Sequence, residues 1–222
     1  MAYVDFLSVI HKSTTRDYLA RVNDPEYPKE KAAGLAKQWG YDYWDGDRRI
    51  NYGGYSYDGR WTKVAKAMAD HYGIKPGDKI LDIGCGKAFL LYDFTQVIPG
   101  VEVHGVDISE YAIEHAMEDT KPNLTSCSAS KLPFDDNSFD LVFSINTLHN
   151  LYSYELDPAL REMERVGKTH KYICVESYRN ELEKTNLLYW QVTCEAFNTP
   201  EEWQWWFNTT GYSGDHSFIY FE

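Results

Sequence analysis

Apolar runs long enough to cross a bilayer are missing. None approaches the roughly 18 residues such a span needs, and the opening residues MAYVDFLSVIHKSTTRDYL do not follow a secretory signal pattern. Cysteine is scarce. The four residues Cys85, Cys127, Cys174 and Cys194 are widely spaced and form no CxxC or Cys–His cluster. Their apolar neighbourhoods point to reduced, buried thiols and away from a metal centre. Positive charge is in deficit, with 22 Lys and Arg against 34 Asp and Glu and a formal net charge of -12. Proteins that grip phosphate backbones usually present a basic face, so nucleic acid and anionic membranes are poor partners for this chain. These absences describe a soluble, cytoplasmic protein. No repeat, low-complexity tract or linker divides the 222 residues, a length that suits one domain with a sizeable core.

What the chain has in quantity is aromatic surface. Between Tyr41 and Trp61 the segment YDYWDGDRRINYGGYSYDGRW crowds rings, glycines and mixed charges with neither a period of two nor one of 3.6. It forms no regular element, yet so many rings need something to cover. Before it, Ser13 to about Gly40 is loosely helical and broken at NDPEYPKE. After it, Trp61, Val64, Ala65, Met68, Ala69 and Tyr72 share one helix face, and YGIKPGD stops that helix.

Short apolar runs then alternate with helical stretches. The runs are KILDIG (79–84), VEVHGVDI (101–108), NLTSCSA (123–129), FDLVFSI (139–145) and KYICVESY (171–178). Between them Leu90, Phe94 and Val97 share one face, and Ala112, Ile113, Ala116 and Met117 another. DPALREMERVGK gives a third helix, with Pro158 near its first turn. In TPEEW, Thr199 is placed as N-cap, Pro200 at the first helical position and Glu202 to complete a capping box. The fold class is therefore α/β, a Rossmann-like, doubly wound, mostly parallel sheet covered on both sides. HSFIYFE supplies a final strand, expected to be antiparallel, and residues 1–60 form an N-terminal helical and aromatic cap on a domain spanning 61–222.

In such sheets ligands sit at the carboxyl ends of the strands, near the switch point. The first strand ends in LDIGCGKAF, where Gly84 and Gly86 allow a sharp turn and a close backbone approach. A dinucleotide site wants a third glycine where Phe89 stands, and a P-loop wants Ser or Thr where Ala88 follows Lys87. What remains resembles motif I of the class I S-adenosylmethionine-dependent methyltransferases, an apolar strand and an acidic residue before G-x-G-x-G, here Asp82, Gly84, Gly86 and Ala88. VDIS, SASKLPF, NSFDLVFSINTLHNL and LREMERVGK resemble the later motifs in order, so the likeness covers roughly residues 78–178. It implies S-adenosyl-L-methionine as cofactor. Asp82, Gly84, Gly86, Asp107, Ile108, Ala129, Ser130 and Asn146 would hold it, with Asp107 accepting the ribose hydroxyls. Ser128 stands where the family usually has Asp beside the adenine. Plainer roles stay open, Asp82 as a loop cap and Asp107 as a helix-entry residue.

Methyl transfer from a sulfonium needs alignment and exclusion of water, and a base only if the nucleophile arrives protonated. His149 and Glu176 are the candidate catalytic residues, the alternatives being a histidine satisfied by the backbone and a carboxylate facing solvent. Tyr152 stands with them above the strand ends. The segment before motif I commonly folds over the cofactor in this family, so Tyr52, Tyr55 and Trp61 are candidate lid residues and Arg60 a candidate partner of the methionyl carboxylate. Gly53 and Gly54 would let that lid bend; packing on a sheet edge or in a homodimer is the other use for the rings. SINT replaces the [DNS]-P-P-[YF] element of amino-methylating nucleic-acid enzymes, which favours a small polar metabolite methylated on oxygen or nitrogen. The rival readings are an RNA or protein methyltransferase and a cofactor-binding protein without turnover.

Overall fold

The computed structural model describes residues 1–10 and 16–222. Part of the expected helical stretch, residues 13–15, lies outside them. Three short helices, α1 (Tyr18–Val22), α2 (Lys29–Ala36) and α3 (Tyr41–Trp44), precede the amphipathic α4 (Thr62–Tyr72). Asp17 starts α1 by accepting the Ala20 N–H at 2.9 Å, and Gly73, at φ 65, ends α4 in the left-handed region.

Six strands follow: β1 (Lys79–Ile83), β2 (Glu102–Asp107), β3 (Leu124–Ser126), β4 (Phe139–Ile145), β5 (Gly167–Glu176) and β6 (Asp215–Ile219). They alternate with α5 (Phe89–Val97), α6 (Glu110–Glu114), α7 (Ser153–Val166), α8 (Glu181–Trp190) and α9 (Pro200–Thr210). The sheet order is β3-β2-β1-β4-β5-β6, every pairing is parallel, and the order reverses between β1 and β4. Alternation along the strands sorts the core into two layers. Ile80, Leu141, Phe143, Tyr172 and Cys174 face Val64, Met68, Leu91 and Phe94 of α4 and α5. Leu81, Ile83, Val142, Ile173 and Val175 face Leu156, Leu160 and Met163 of α7 and Trp203 and Phe207 of α9.

The expected antiparallel last strand is corrected to parallel. Between β5 and β6 runs α9, a full helical crossover of the kind that returns a chain in the same direction. Residues 2–4 cover the outer edge of β6, with the Val4 N–H donating to His216 O at 2.9 Å and the His216 N–H to Ala2 O at 3.0 Å. The capping box before α9 is present, Glu202 accepting the Thr199 N–H at 2.7 Å and Thr199 Oγ1 the Glu202 N–H at 3.2 Å. α7 begins earlier than its pattern suggests, at Ser153, so Pro158 falls in the second turn. Among the described residues no helix is long and apolar enough to cross a membrane.

Candidate active site

The cap folds onto the carboxyl end of the sheet through its own apolar cluster. Ala32, Ala36, Tyr43, Trp44 and Ile50 pack with Ala112 of α6 and with Val192. Polar ties fix its register. Lys87, inside the glycine turn and 6% exposed, donates to both Asp45 carboxylate oxygens at 2.7 Å and to the Tyr55 carbonyl at 2.9 Å. Burial works against the Asp45 charge, but Lys87 and the Tyr111 hydroxyl hold its carboxyl below the ordinary range. Trp44 Nε1 donates to Ser109 Oγ at 2.9 Å, and Trp44 stacks on Tyr52 with ring centroids 5.4 Å apart.

Beneath these rings lies a cavity of about 430 Å³ at the ends of β1, β2 and β4. Gly84 and Gly86, at φ 86 and 53, form its floor. A Cβ on Gly84 would lie 2.0 Å from Thr147 Oγ1, and one on Gly86 2.7 Å from the Trp44 ring, so both close approaches require glycine. Ala88, in the third position, also takes a left-handed φ of 59 as it enters α5. Asp82 is 6% exposed. Asp107 Oδ2 accepts the Gly86 N–H at 2.7 Å and Oδ1 the Ser109 N–H at 2.8 Å, which leaves unused lone pairs on both oxygens. Burial raises both carboxyls, and Asp107 adds to the rise at Asp82.

Ile108, Ala129 and Asn146 join that floor from the other strand ends, and Tyr52, Tyr55, Trp61 and Tyr152 complete walls and roof. Asn146 sits at φ 57, and its Oδ1 is buried without a hydrogen-bond partner. Four residues expected at the site are absent from the wall. Ser130 instead donates to the Glu155 carbonyl at 2.9 Å. Arg60 points away, its Nε 2.7 Å from Asp58, because a carboxylate two residues back satisfies it locally. His149 and Glu176 lie behind the cavity, 2% and 6% exposed.

Neither side chain lines the cavity, where an acceptor's proton would have to be taken. His149 Nδ1 accepts the Glu176 N–H at 3.3 Å, which leaves the other ring nitrogen to carry the proton. Burial lowers the imidazole to about 3, so its 3.4 Å approach to Glu176 Oε2 joins uncharged histidine to a carboxyl and is not an ion pair. Burial raises Glu176 to about 8, with the Gln191 amide opposing. The His149 carbonyl does reach the cavity indirectly. It accepts the N–H groups of Glu195 and Ala196, both at 2.9 Å, and so seats a loop that supplies Thr193 and Glu195 to the wall. There Glu195 meets Lys37 of the cap and stands near the Tyr152 hydroxyl, whose pKa it raises. Lys37, Trp39, Trp44, Thr193 and Glu195 carry no motif signal, since each comes from a segment outside the glycine-turn region and is brought in by tertiary folding.

Residues 74–211 match the methyltransferase domain family. The chain belongs to the class I S-adenosylmethionine-dependent methyltransferases. An uncharacterized methyltransferase of Schizosaccharomyces pombe is 37% identical over 115 residues, covering 46% of this chain and 40% of its own. The demethylmenaquinone methyltransferase of Staphylococcus aureus is 32% identical over 159 residues, covering 65% and 64%. The chain thus spans less than two thirds of these relatives. Among solved structures, a methyltransferase bound to the Trm112 activator of Haloferax volcanii aligns with a TM-score of 0.53 at 21% identity, over 68% of this chain and 72% of the other. The [4+2]-cyclase SpnF aligns at 0.56 and 18%, over 72% and 60%. Likeness at that identity is likeness of fold.

Members of the family use S-adenosylmethionine in general. The residues present fit such a group. It carries a sulfonium and an ammonium, and the floor offers two carboxyls, Asp82 and Asp107, with no ion-pair partner among the described residues.

Proposed function

We propose that this protein transfers a methyl group from S-adenosylmethionine to an oxygen or nitrogen of a small acceptor. The observation that carries the reading is a cavity lined by two chemically different groups of residues. One is the glycine turn with Asp82, Asp107 and Asn146; the other is Asn150, Tyr152, Thr193, Glu195 and Lys37, most of which the cofactor motifs do not include. When bound, the cofactor supplies a methyl group on an already activated leaving group.

The chain's own residues supply position and dryness. The glycines admit close main-chain approach, while Asp82 and Asp107 balance positive charge. Tyr52, Tyr55 and Trp61 exclude water and present ring faces to a cation. Glu195, oriented by Lys37 and Tyr152, is the carboxylate placed to take a proton from an acceptor that arrives protonated. His149 and Glu176 act as support for the Glu195 loop. Residues 1–60 serve as the cap and 61–222 as the catalytic domain, in the cytoplasm.

A quinone-type acceptor is a second reading, favoured by the ring-rich wall and by relatives named demethylmenaquinone methyltransferases. The test is to incubate the protein with S-adenosylmethionine and pooled hydroxyl, amine and quinol acceptors, then to measure S-adenosylhomocysteine by mass spectrometry. Acceptor-dependent formation supports the proposal. Tight cofactor binding with none formed in any pool would make this a binding protein, as the fold shared with a cyclase allows.

A further inference from the structure

Three arginines of the cap converge outside the cavity, against the acidic balance of the chain. Arg16 precedes α1 and Arg21 lies in its last turn, and their guanidinium carbons lie 4.1 and 5.2 Å from the centroid of the same ring, Trp190 of α8. Arg21 Nη2 donates to the Ile50 carbonyl at 2.9 Å. Arg48 Nη1 donates to the Asn51 and Tyr52 carbonyls at 3.4 and 2.6 Å. Two guanidinium groups therefore grip three successive carbonyls, which places like charges side by side. Burial lowers Arg21, and the neighbouring Arg48 and Arg16 lower it further.

Arg21 and Arg48 differ from Arg49, which pairs with Asp47 and Glu26, from Arg165, which pairs with Glu162 and Asp136, and from Arg179, which pairs with Glu183 and Glu222. The hydrogen bonds of Arg21 and Arg48 to described residues end on neutral carbonyls, and Arg21 Nε is buried with no acceptor among those residues. An unmet buried donor is costly, more so on a charged group. Among the described residues, the carboxyls Asp24 and Glu176 act on the cluster. Asp24 is engaged by the Glu26 and Tyr27 N–H groups at 2.9 and 2.8 Å, and Glu176, raised by burial to about 8, is largely uncharged at neutral pH.

We propose that this cluster binds a carboxylate or phosphate group, held by Arg21 and Arg48, with Arg16 and the Trp190 face beside it. A bound anion would offset the repulsion between the guanidinium groups, and the planar forks suit a two-oxygen ligand. The site adjoins the active site, because Arg48 holds the carbonyl of Tyr52, whose ring lines the cavity.

Inorganic phosphate is the probe, titrated calorimetrically at constant ionic strength against chloride. The wild type binds it saturably, and Arg21→Met and Arg48→Met each weaken it at least about tenfold, as expected for a lost bond to a charged group. Arg60→Met, at an arginine already paired with Asp58, leaves it unchanged. No saturable binding, undiminished binding in both cluster variants, or equal loss in Arg60→Met would overturn the assignment. Should Arg21→Met not fold, Arg48→Met carries the test, since that side chain is exposed. Phenyl phosphate separates two sources of the anion. Binding about tenfold tighter than phosphate, lost in Tyr52→Ala, assigns the acidic end of a ring-bearing ligand; equal binding assigns a free anion.

Discussion

Replacing Glu176 with Gln should change how stability depends on pH more than it changes stability at any one acidic pH. The carboxyl is 6% exposed and its pKa is raised by burial from 4.5 to about 8. The folded state therefore binds the proton more tightly than the unfolded one. Its contribution is fully present below 4.5 and is lost as pH rises through about 8. At about 1.4 kcal/mol per pH unit the interval sets an upper limit of about 5 kcal/mol, and relaxation around the charge leaves about 2 kcal/mol as a conservative expectation. Gln keeps the shape and stays neutral. Burial lowers His149 from 6.5 to about 3, so its contribution has the opposite sign and is lost as pH falls below 6.5. Urea unfolding at pH 5, 7 and 9 separates the two. Between pH 5 and 9 the wild type should lose about 2 kcal/mol more than Glu176→Gln, most of it below pH 8, while the loss that His149 brings as pH falls from 7 to 5 should appear in both. Parallel curves for the two proteins between pH 5 and 9 would refute the argument that Glu176 is a buried, largely neutral acid.

Asp107→Ala should weaken S-adenosylhomocysteine binding by about 1.5–3 kcal/mol in calorimetry, whereas Arg60→Ala should leave it unchanged, because Arg60 stands outside the cavity. Lys87→Met removes the partner of Asp45 and the tie between glycine turn and cap; about 1–3 kcal/mol of stability should be lost, read from urea unfolding, since Asp45 is partly solvated. Once an acceptor is found, Glu195→Gln should lower kcat at least about tenfold with little effect on S-adenosylhomocysteine affinity, the pattern of a group that acts in the transition state. Equal losses in both would make Glu195 a binding residue.

The layers of the sheet were legible because strand and helix periodicities are local properties: Ile80 and Leu81 alternate faces, and Val64, Ala65 and Met68 share one. The glycine turn was legible for a similar reason, since Gly84 and Gly86 record a backbone need at their own positions. The direction of β6 was not, because pairing depends on the crossover that α9 provides and not on the strand's composition. α8 is not legible in the sequence, since Glu183 and Leu187 alone are buried and no apolar stripe marks it. Arg60 is near the glycine turn's helix in sequence, but Asp58 satisfies it two residues away and it does not line the cavity. His149 and Glu176 are off the wall for another reason. The ends of strands point toward the site, but a peptide that reaches the end of β5 can still turn its side chain beneath the wall. In the sequence Lys87 reads only as part of an incomplete phosphate loop, and its use as the anchor of the aromatic segment requires Asp45, which sits in the cap.

The central claim is that the aromatic segment and the glycine turn enclose one cofactor and acceptor cavity. A crystal structure with S-adenosylhomocysteine tests it most directly. The account predicts the ligand over Gly84 and Gly86, within hydrogen-bond distance of Asp107, roofed by Tyr52 and Tyr55, with its sulfur facing the end that holds Tyr152 and Glu195. A ligand bound elsewhere, or one whose sulfur faces away from Glu195 into closed protein, would contradict it.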